Sequence, residues 1–288
     1  MKTSRPMALS HGVFALSFTL MACGDPLKFP QDLEETRVIG VQVQSDSGYG
    51  WPGADESAEV RVLVAGPDGP AQLETAYQVC LAPETSRGVP YCAGSALATG
   101  QTSSSDDVSF SFEGRGGLLP EQRVVILGVG CESGQAKQLG APKDWGCSNG
   151  SNALRFSYET EAASVQNKNP ELDRTVLSYD NVGVEFEATK VAPTCSGPRI
   201  LAEHTTLIQL KLDTKAAEAE EVLQLSHFSS RGRFERQYTI LDVDTDLSAE
   251  LEWTAPAQPG AVKSYLVVRD SRGGTSWLSW SLCVVSEM

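Results

Sequence analysis

Apolar and polar residues alternate along several stretches of this chain, and this period of two residues limits the fold more than any other feature. At 108–113, Val, Phe and Phe occupy every second position and alternate with Ser, Ser and Glu. Similar alternation occurs at 60–64, 208–213 and 250–253. Because successive side chains of a β-strand point to opposite faces, each stretch predicts a strand with one buried and one solvated face.

The residues between these stretches are typical of turns. Gly, Pro, Ser and Asp cluster there, as in GPDGP at 66–70 and TSSSDD at 102–107. Many short strands joined by such turns, with no βαβ alternation, predict an all-β fold of antiparallel β-sandwiches. The segment KAAEAEEVL, at 215–223, has the composition of a helix and equally fits a loop between strands.

The chain has 288 residues, and at about 100–200 residues per domain this length predicts two domains. The sequence NKNP, at 167–170, separates two strand-rich regions. We therefore expect one β-sandwich domain at 37–166 and a second at 167–288.

The N-terminus has the layout of a secretory signal. Two basic residues, Lys2 and Arg5, precede a mostly apolar run from Met7 to Leu20. This run is shorter than the roughly 20 residues of a membrane-spanning helix. It ends in Leu-Met-Ala-Cys, which resembles the lipobox of bacterial lipoproteins, with the cysteine at Cys23.

The lipobox resemblance implies cleavage before Cys23 and a diacylglyceryl group on its sulfur. Residues 1–22 are then a signal peptide, and the expected partner is a lipid bilayer, reached through acylated Cys23. Because Gly24 follows the cysteine where Asp would favour retention in the inner membrane, we expect the outer membrane, on its periplasmic or surface face. Residues 23–36 hold two prolines and mixed charges and are expected to form a tether. The alternative is an ordinary secreted protein with a chance cysteine at this place.

Six further cysteines follow, and an even number in an exported chain indicates disulfide bonds. The sequence leaves many connectivities open, and the simplest one joins neighbours in the chain. These pairs are Cys80 with Cys92, Cys131 with Cys147, and Cys195 with Cys283. None of the six stands in a C-x-x-C pair, so the cysteines do not indicate a zinc site.

Acidic residues outnumber basic ones, 37 to 23, which gives a net charge of −14 at pH 7. Proteins that bind nucleic acid neutralise its phosphates with Lys and Arg. A chain this acidic is therefore not expected to bind nucleic acid, and its charge chiefly promotes solubility.

The sequence offers no set of residues that predicts catalysis. Only His204 and His227 follow the leader, and neither has a second His or Cys at the spacing of metal ligands. The nucleophile motif G-x-S-x-G is absent, and the Gly-rich turns at 114–117 and 271–274 match no nucleotide-binding pattern. We expect no catalytic residues, no metal and no cofactor.

One acidic stretch resembles part of a calcium-binding loop. Asp242, Asp244 and Asp246 stand at alternate positions, as at the start of a calcium loop. Leu247 and Trp253 then occupy the places where an EF-hand has Gly and Glu, so that motif is not met. The open alternatives are a different calcium site between strands and a solvated acidic loop.

Three tryptophans are candidates for ligand contact. Trp51 lies in the glycine-rich stretch GYGWPG, at 48–53, which suits an exposed loop tip. Trp277 and Trp280 are three residues apart in a predicted strand and are expected on opposite faces. One of the two then faces outward, where an indole can stack on a sugar or a peptide. The alternative for each is to fill the core.

The C-terminal stretch at 251–285 consists of a strand ending at Trp253, a Pro-Gly turn, a strand, the turn DSRGG and a last strand. This order resembles the closing hairpin of PKD-like and other immunoglobulin-like sandwich domains of bacterial surface proteins. The resemblance implies that the second domain is immunoglobulin-like.

The whole layout resembles a group of lipoproteins of myxobacterial-type proteobacteria. It shares with them the lipobox, the opening E-x-x-R-V-I-G-V at 34–41, Cys-Leu-Ala-Pro at 80–83, the Asn-x-Asn-Pro junction and the last hairpin. We expect a non-catalytic, membrane-anchored protein of the cell envelope, either structural or a binding module for an envelope protein or a glycan. The alternatives are an accessory to a carbohydrate-active or hydrolytic enzyme and an assembly partner of an envelope complex.

Overall fold

The computed structural model describes residues 30–52, 56–83, 91–92, 94–102, 108–113, 123–139, 145–161, 167–172, 175–179, 186–187, 195, 197–213, 221–242 and 247–286. All regular structure within these ranges is β-structure, in 20 strands, which confirms the all-β prediction. These ranges contain no helix suited to cross a membrane.

The first ten strands form two antiparallel sheets and a small hairpin. Sheet 1 contains β1, β2, β3 and β6, with β2 between β1 and the other two, and sheet 2 has the order β10-β7-β4-β5. Strands β8 and β9 pair with each other. The strands are β1 (Arg37–Ser45), β2 (Ser57–Gly66), β3 (Gly69–Pro70), β4 (Glu74–Leu81), β5 (Ala98–Thr102), β6 (Val108–Glu113), β7 (Arg123–Cys131), β8 (Ala136–Gln138), β9 (Trp145–Cys147) and β10 (Leu154–Glu161).

The other ten strands form two larger sheets. Sheet 3 has the order β13-β20-β19-β15-β17 and sheet 4 the order β12-β11-β14-β18-β16. Pairing is antiparallel except between β13 and β20. The strands are β11 (Val176–Tyr179), β12 (Phe186–Glu187), β13 (Arg199–Leu201), β14 (Thr205–Lys211), β15 (Val222–Ser229), β16 (Arg233–Phe234), β17 (Tyr238–Asp242), β18 (Ser248–Thr254), β19 (Gly260–Asp270) and β20 (Thr275–Val285).

Each pair of sheets encloses a hydrophobic core, as the alternation in the sequence predicts. Sheets 1 and 2 bury a cluster that includes Val43, Val60 and Ile126. Sheets 3 and 4 bury a larger cluster, in which Trp253 and Trp280 are the bulkiest side chains. The two sandwiches are therefore stabilised chiefly by burial of apolar surface between their sheets.

A third cluster lies between the two sandwiches, and we call it the apolar seam. It consists of Leu33, Ile39, Ala65, Tyr265 and Val267, which are buried, with partly buried Leu63, Phe228 and Trp277 beside them. Leu33 precedes β1, and the other members come from β1 and β2 of sheet 1 and from β15, β19 and β20 of sheet 3. Sheets 1 and 3 thus pack against each other with the faces that their own sandwiches leave outward.

The segment 30–33 contributes to this packing. The amide of Leu33 donates a hydrogen bond of 2.9 Å to the carbonyl of Ser229, and the amide of Ser229 donates one of 3.0 Å to the carbonyl of Gln31. The side chains of Gln31 and Leu33 are buried. This part of the predicted tether, 23–36, is therefore bound to sheet 3 instead of spanning solvent, because Leu33 contributes apolar surface to the seam. Residues 23–29 lie outside the described ranges.

Three disulfide bonds join the six described cysteines. They link Cys80 to Cys92, Cys131 to Cys147, and Cys195 to Cys283. The simplest pairing of the sequence is confirmed, and no bridge joins the two sandwiches.

The segment 215–223 is not a helix at its C-terminal end. Val222 and Leu223 are the first residues of β15, where Leu223 is buried against the core. Leu225 and Phe228, which follow at apolar positions of the same strand, extend it and favour the extended conformation. Residues 214–220 lie outside the described ranges.

Candidate functional site

Next to the apolar seam, sheets 1 and 3 separate and leave a cleft of ≈ 820 Å³. Its walls are the outer face of β1 and β2, the connection between the sandwiches, and the start of β20. The described residues that line it are Gln42, Gln44, Ser47, Gly48, Arg61, Lys168, Asn169, Pro170, Glu171, Leu172, Thr175, Ser276, Trp277 and Leu278. The volume lies in the usual range for small-molecule sites, about 300–1,000 Å³.

The polar wall on sheet 1 follows from strand alternation. Gln42 on β1 and Arg61 on β2 are paired across the two strands and share the face opposite the core of the first sandwich. Gln42 is buried, and its Nε2 donates hydrogen bonds of 2.7 Å to the carbonyl of Thr275 and 3.0 Å to Oγ of Ser276. This amide therefore connects sheet 1 to β20 at the floor of the cleft.

The sequence NKNP connects the two sandwiches through hydrogen bonds to both. Asn169 donates from Nδ2 to the carbonyl of Val43 at 2.7 Å and accepts the amide of Thr275 at 2.9 Å on Oδ1. The carbonyl of Asn167 accepts the amide of Gly50 at 2.7 Å. This segment lies between β10 and β11 in the chain, and its side chains hold the two sandwiches together.

The turn at 270–274 closes one end of this interface. Oδ1 of Asp270 accepts the amides of Arg272 and Gly274, each at 2.8 Å, which fixes the turn between β19 and β20. Its Oδ2 accepts Nδ2 of Asn167 at 2.9 Å, and the hydroxyl of Tyr158 donates to the carbonyl of Gly273. Residues of the first sandwich and of the connection therefore position the turn that leads into the cleft wall.

Two cations face the cleft, and each lies over an aromatic ring. The guanidinium carbon of Arg61 is 5.5 Å from the centre of the Trp277 ring. Nζ of Lys168 is 5.9 Å from the centre of the Tyr49 ring. Ring faces attract cations at such distances, so both side chains are held toward the cleft without an acidic partner in these contacts. Glu171 is the carboxylate of the described lining.

Trp277 reaches this position because Gly40 lies below it. A Cβ atom on Gly40 would stand 3.3 Å from Cε3 of Trp277 and 3.4 Å from Cβ of Leu63. A β-bulge between Val38 and Gly40 shifts the register of β1 here. The bulge and the missing side chain let the indole approach sheet 1 closely.

Thr175 forms part of the cleft wall where the second sandwich begins. Its side chain is 2% exposed, and its Oγ1 has no hydrogen-bond partner among the described residues. Its amide donates to the carbonyl of Leu172 at 3.1 Å, which turns the chain into β11.

The three predicted contact tryptophans have different environments. Trp277 is half-buried and lines the cleft, whereas Trp280 lies on the opposite face of β20, as predicted. Trp280 is 1% exposed, so the prediction of a ligand contact is wrong for it; its indole fills the core of the second sandwich. Trp51 is half-buried against the core of the first sandwich and is not among the described lining residues.

His227 lies inside the second sandwich and not at the cleft. It is 1% exposed, and Nδ1 is 3.3 Å from the carbonyl of Arg236. Burial lowers the pKa of His227 to about 4, since the charged imidazolium would lose its water. A smaller cavity of ≈ 200 Å³ adjoins it, lined by Phe234, Glu250 and neighbouring residues. His204 is exposed and precedes β14.

The other predicted positions fall partly outside the described ranges. Asp242 ends β17, and Asp244 and Asp246 lie outside the described residues. Among the described residues, no group of three or more His, Cys, Asp or Glu side chains has the arrangement of a metal site. Cys23 also lies outside them.

Sequence analysis missed the cleft itself. It assigned the outer face of each strand to solvent, so Gln42, Arg61 and Asn169 received no role. One signal was present: Tyr265 to Val268 are four consecutive apolar residues, and such a run indicates a strand buried on both faces. That signal points to a partner for sheet 3 but does not identify it as sheet 1.

No family model and no curated protein matches this chain. Among solved structures, a glycosyl hydrolase family 2 member from Bacteroides cellulosilyticus is similar at 11% identity and a TM-score of 0.23, over 82% of this chain and 24% of that one. The adhesin InvE of Yersinia pseudotuberculosis is similar at 8% identity and a TM-score of 0.23, over 85% of this chain and 58% of that one. The native conformation of E. coli alpha-2-macroglobulin is similar at 9% identity and a TM-score of 0.24, over 86% of this chain and 16% of that one.

The chain thus spans between 16% and 58% of the length of these three structures. With TM-scores this low, the three likenesses carry no argument about function.

Proposed function

We propose that this protein is a non-catalytic lipoprotein of the cell envelope, anchored in the outer membrane through acylated Cys23, whose cleft between the two sandwiches binds a glycan. The observation that carries the binding role is the cleft of ≈ 820 Å³, with amides, hydroxyls, two cations and a half-buried indole along its walls. The anchoring rests on the lipobox-like sequence that ends at Cys23.

The lining suits a ligand rich in hydroxyl groups. Gln44 offers an amide, which both donates and accepts hydrogen bonds, and Ser47 offers a hydroxyl at the exposed margin. The indole of Trp277 adds an apolar surface beside these groups. A few polar groups that converge around an aromatic side chain are typical of small-molecule sites.

The walls are also held in place before a ligand arrives. The bonds of Gln42 and Asn169 to Thr275 fix β20 against sheet 1, and the apolar seam buries the adjoining surface. A preformed site loses less conformational entropy on binding than a site that must first be ordered.

Glycan binding is tested with the full-length chain in detergent on an array of envelope and matrix saccharides. We expect binding to be weakened by Gln44→Ala and blocked by Ser47→Trp, because both positions are exposed at the cleft and tolerate substitution. Lys211→Gln, on the exposed face of β14, is the matched control and should bind as the wild type does. Equal binding by all variants would contradict the cleft as the site.

The anchor is tested in the native host by incorporation of labelled palmitate and by cell fractionation. We expect the wild type to carry the label and to sediment with outer membranes, and Cys23→Ser to lose the label and appear in the soluble fraction. Unchanged membrane association of Cys23→Ser would contradict the anchor. Turnover of a bound glycan by the purified chain would contradict the non-catalytic role and favour the hydrolytic alternative.

A second candidate function, binding to an envelope protein, is favoured by strand β17. This strand stands at the edge of sheet 3, and its Tyr238 and Ile240 are 53% and 52% exposed. Edge strands with apolar side chains can pair with a strand of another protein. Crosslinking of a photoreactive residue at position 240 to a protein of the native envelope tests this role, and a glycan-only interaction would leave that position uncrosslinked.

We also propose that the second sandwich is immunoglobulin-like. Two sheets of five strands each, which enclose one hydrophobic core, are compatible with that architecture. An experimental structure that gives a different strand order would contradict it.

A further inference from the structure

We propose that the glycan bound in the cleft carries a carboxylate, which Arg61 and Lys168 bind together. This inference rests on the proposed glycan binding and adds the chemical class of the ligand. It starts from the charges of the cleft, which differ in sign from those of the chain. The described lining has two cations and one carboxylate, whereas the whole chain has a net charge of −14.

Among the described residues, each of the two cations contacts an aromatic ring. Arg61 lies over Trp277 and Lys168 over Tyr49, at 5.5 and 5.9 Å from the ring centres. A cation held by a ring face keeps its full charge and its N–H donors, whereas a cation in an ion pair has its donors occupied by a carboxylate. Two ion pairs of the described residues, Arg123 with Glu159 and Arg272 with Glu221, involve other side chains.

The chemistry of the two groups suits an anionic oxygen pair. A guanidinium offers parallel N–H donors that match the two oxygens of a carboxylate, and an ammonium adds a point charge from a second direction. Arg61 stands on sheet 1 and Lys168 on the connection between the sandwiches, so a carboxylate between them would touch both walls of the cleft. The neutral amide of Gln44 and the hydroxyl of Ser47, both exposed at the cleft, can bind sugar hydroxyls.

The acidity of the rest of the chain does not prevent this binding. At physiological ionic strength, exposed charges farther apart than about 8 Å are largely screened, so the nearest groups determine the local potential. The attraction between the two cations and a bound carboxylate also weakens as salt is added. The affinity is therefore expected to fall when sodium chloride is raised.

The test compares acidic saccharides with uncharged counterparts of the same shape. Tri-galacturonate, its methyl ester, a sialylated trisaccharide and its carboxyl-reduced form are titrated calorimetrically into the full-length chain in detergent. We expect at least one acid to bind about tenfold more tightly than its uncharged counterpart, which corresponds to about 1.4 kcal/mol for charge-assisted hydrogen bonds. Arg61→Gln and Lys168→Gln should each remove most of this difference, and should weaken binding of the uncharged counterpart much less than binding of the acid.

Lys211→Gln removes a positive charge away from the cleft and is the matched control, expected to bind every saccharide as the wild type does. Arg61→Lys keeps the charge but loses the paired donors, and should retain an intermediate affinity for the acid.

The outcomes separate this inference from the proposed function. If the acids and their uncharged counterparts bind equally, or if Arg61→Gln and Lys168→Gln keep the preference for the acid, the carboxylate subsite is overturned while glycan binding stands. If none of the four saccharides binds and the array also gives no ligand, both are overturned. A third outcome is that inorganic phosphate binds, that no saccharide binds, and that Arg61→Gln abolishes phosphate binding. It would overturn glycan binding and leave only an anion site.

Discussion

The interface between the two sandwiches has an apolar part and a polar part, although the same two sheets form both. At the apolar seam, Ile39 and Ala65 of sheet 1 meet Tyr265 and Val267 of sheet 3, and water is excluded. A few residues along the same strands, Gln42 and Arg61 replace apolar side chains, and the sheets leave a cleft of ≈ 820 Å³. The comparison shows a division of roles, in which the first part holds the sandwiches together and the second keeps a shaped space open.

The largest expected effect is at the apolar seam. Tyr265→Ala removes a ring that is 1% exposed and should lower the free energy of unfolding by about 4 kcal/mol, from lost burial and the cavity left behind. Chemical denaturation measures this change. Tyr238→Ala, at a 53% exposed position, is the control and should cost about 0.5 kcal/mol or less. Equal costs for the two variants would mean that the seam does not stabilise the molecule.

The second largest effect concerns His227, in the core of the second sandwich, and is seen in how stability depends on pH. The pKa of His227 is about 4 in the folded protein and about 6.5 when unfolded, so the unfolded chain binds a proton first as pH falls. His227 therefore does not lower the free energy of unfolding above pH 6.5. Between pH 6.5 and 4, the free energy of unfolding should fall by up to about 3 kcal/mol.

Denaturation of His227→Gln over this pH range should show a flatter dependence than the wild type. His204→Gln, at an exposed histidine, should keep the wild-type slope. The same slope in all three proteins would show that the carboxylates, and not His227, produce the acid sensitivity.

Third in size is the connection between the sandwiches. Asn169→Ala leaves the carbonyl of Val43 and the amide of Thr275 without their partners and should cost about 2 kcal/mol. Hydrogen exchange at the Thr275 amide should become faster. Asn149→Ala, which removes exposed hydrogen bonds of the first sandwich, should leave that amide unchanged.

A smaller effect is expected where the two parts of the interface meet. Gly40→Ala places a methyl group 3.3 Å from the Trp277 ring and should cost about 1 kcal/mol as the indole shifts. The shift should alter tryptophan fluorescence and weaken binding in the cleft. Unaltered fluorescence and binding would mean that Gly40 does not determine the position of the indole.

The smallest effect on stability is expected at the cleft cations. Lys168→Gln should change the free energy of unfolding by less than about 0.5 kcal/mol, because its side chain is exposed. A loss of ligand affinity without a loss of stability would sharpen the division between the two parts. If Lys168→Gln destabilises the protein as much as Tyr265→Ala does, the cleft and the apolar seam do not have separate roles.

The sequence predicts the sandwiches well because each strand carries its own signal. Alternation at 208–213 marks a strand whose one face is buried, and cysteines close in the chain pair with each other. These features depend on neighbours in the chain or on one face of one strand. They need no knowledge of which sheets meet.

The cleft depends on contacts between residues far apart in the chain, and alternation does not specify them. Gln42 contacts Thr275, and Arg269 donates to the carbonyl of Ile39 at 3.0 Å, more than two hundred positions away in each case. The bulge at Val38 and Gly40 also reverses which side chains of β1 face outward. Of the predicted site residues, Trp277 lies in the cleft, but the sequence could not distinguish it from Trp280, since both are indoles in one strand.

The attachment of Gln31 and Leu33 to the strand that ends at Ser229 determines how far the folded body can stand from a bilayer. At no more than about 3.6 Å per residue, the chain between an acylated Cys23 and Gln31 reaches at most about 30 Å. Under the proposed anchoring, the segment between the membrane and the folded protein is therefore short. It leaves the folded protein beside the second sandwich, which is synthesised last. Mechanical load from the membrane would first meet the two hydrogen bonds at Ser229, ahead of either core.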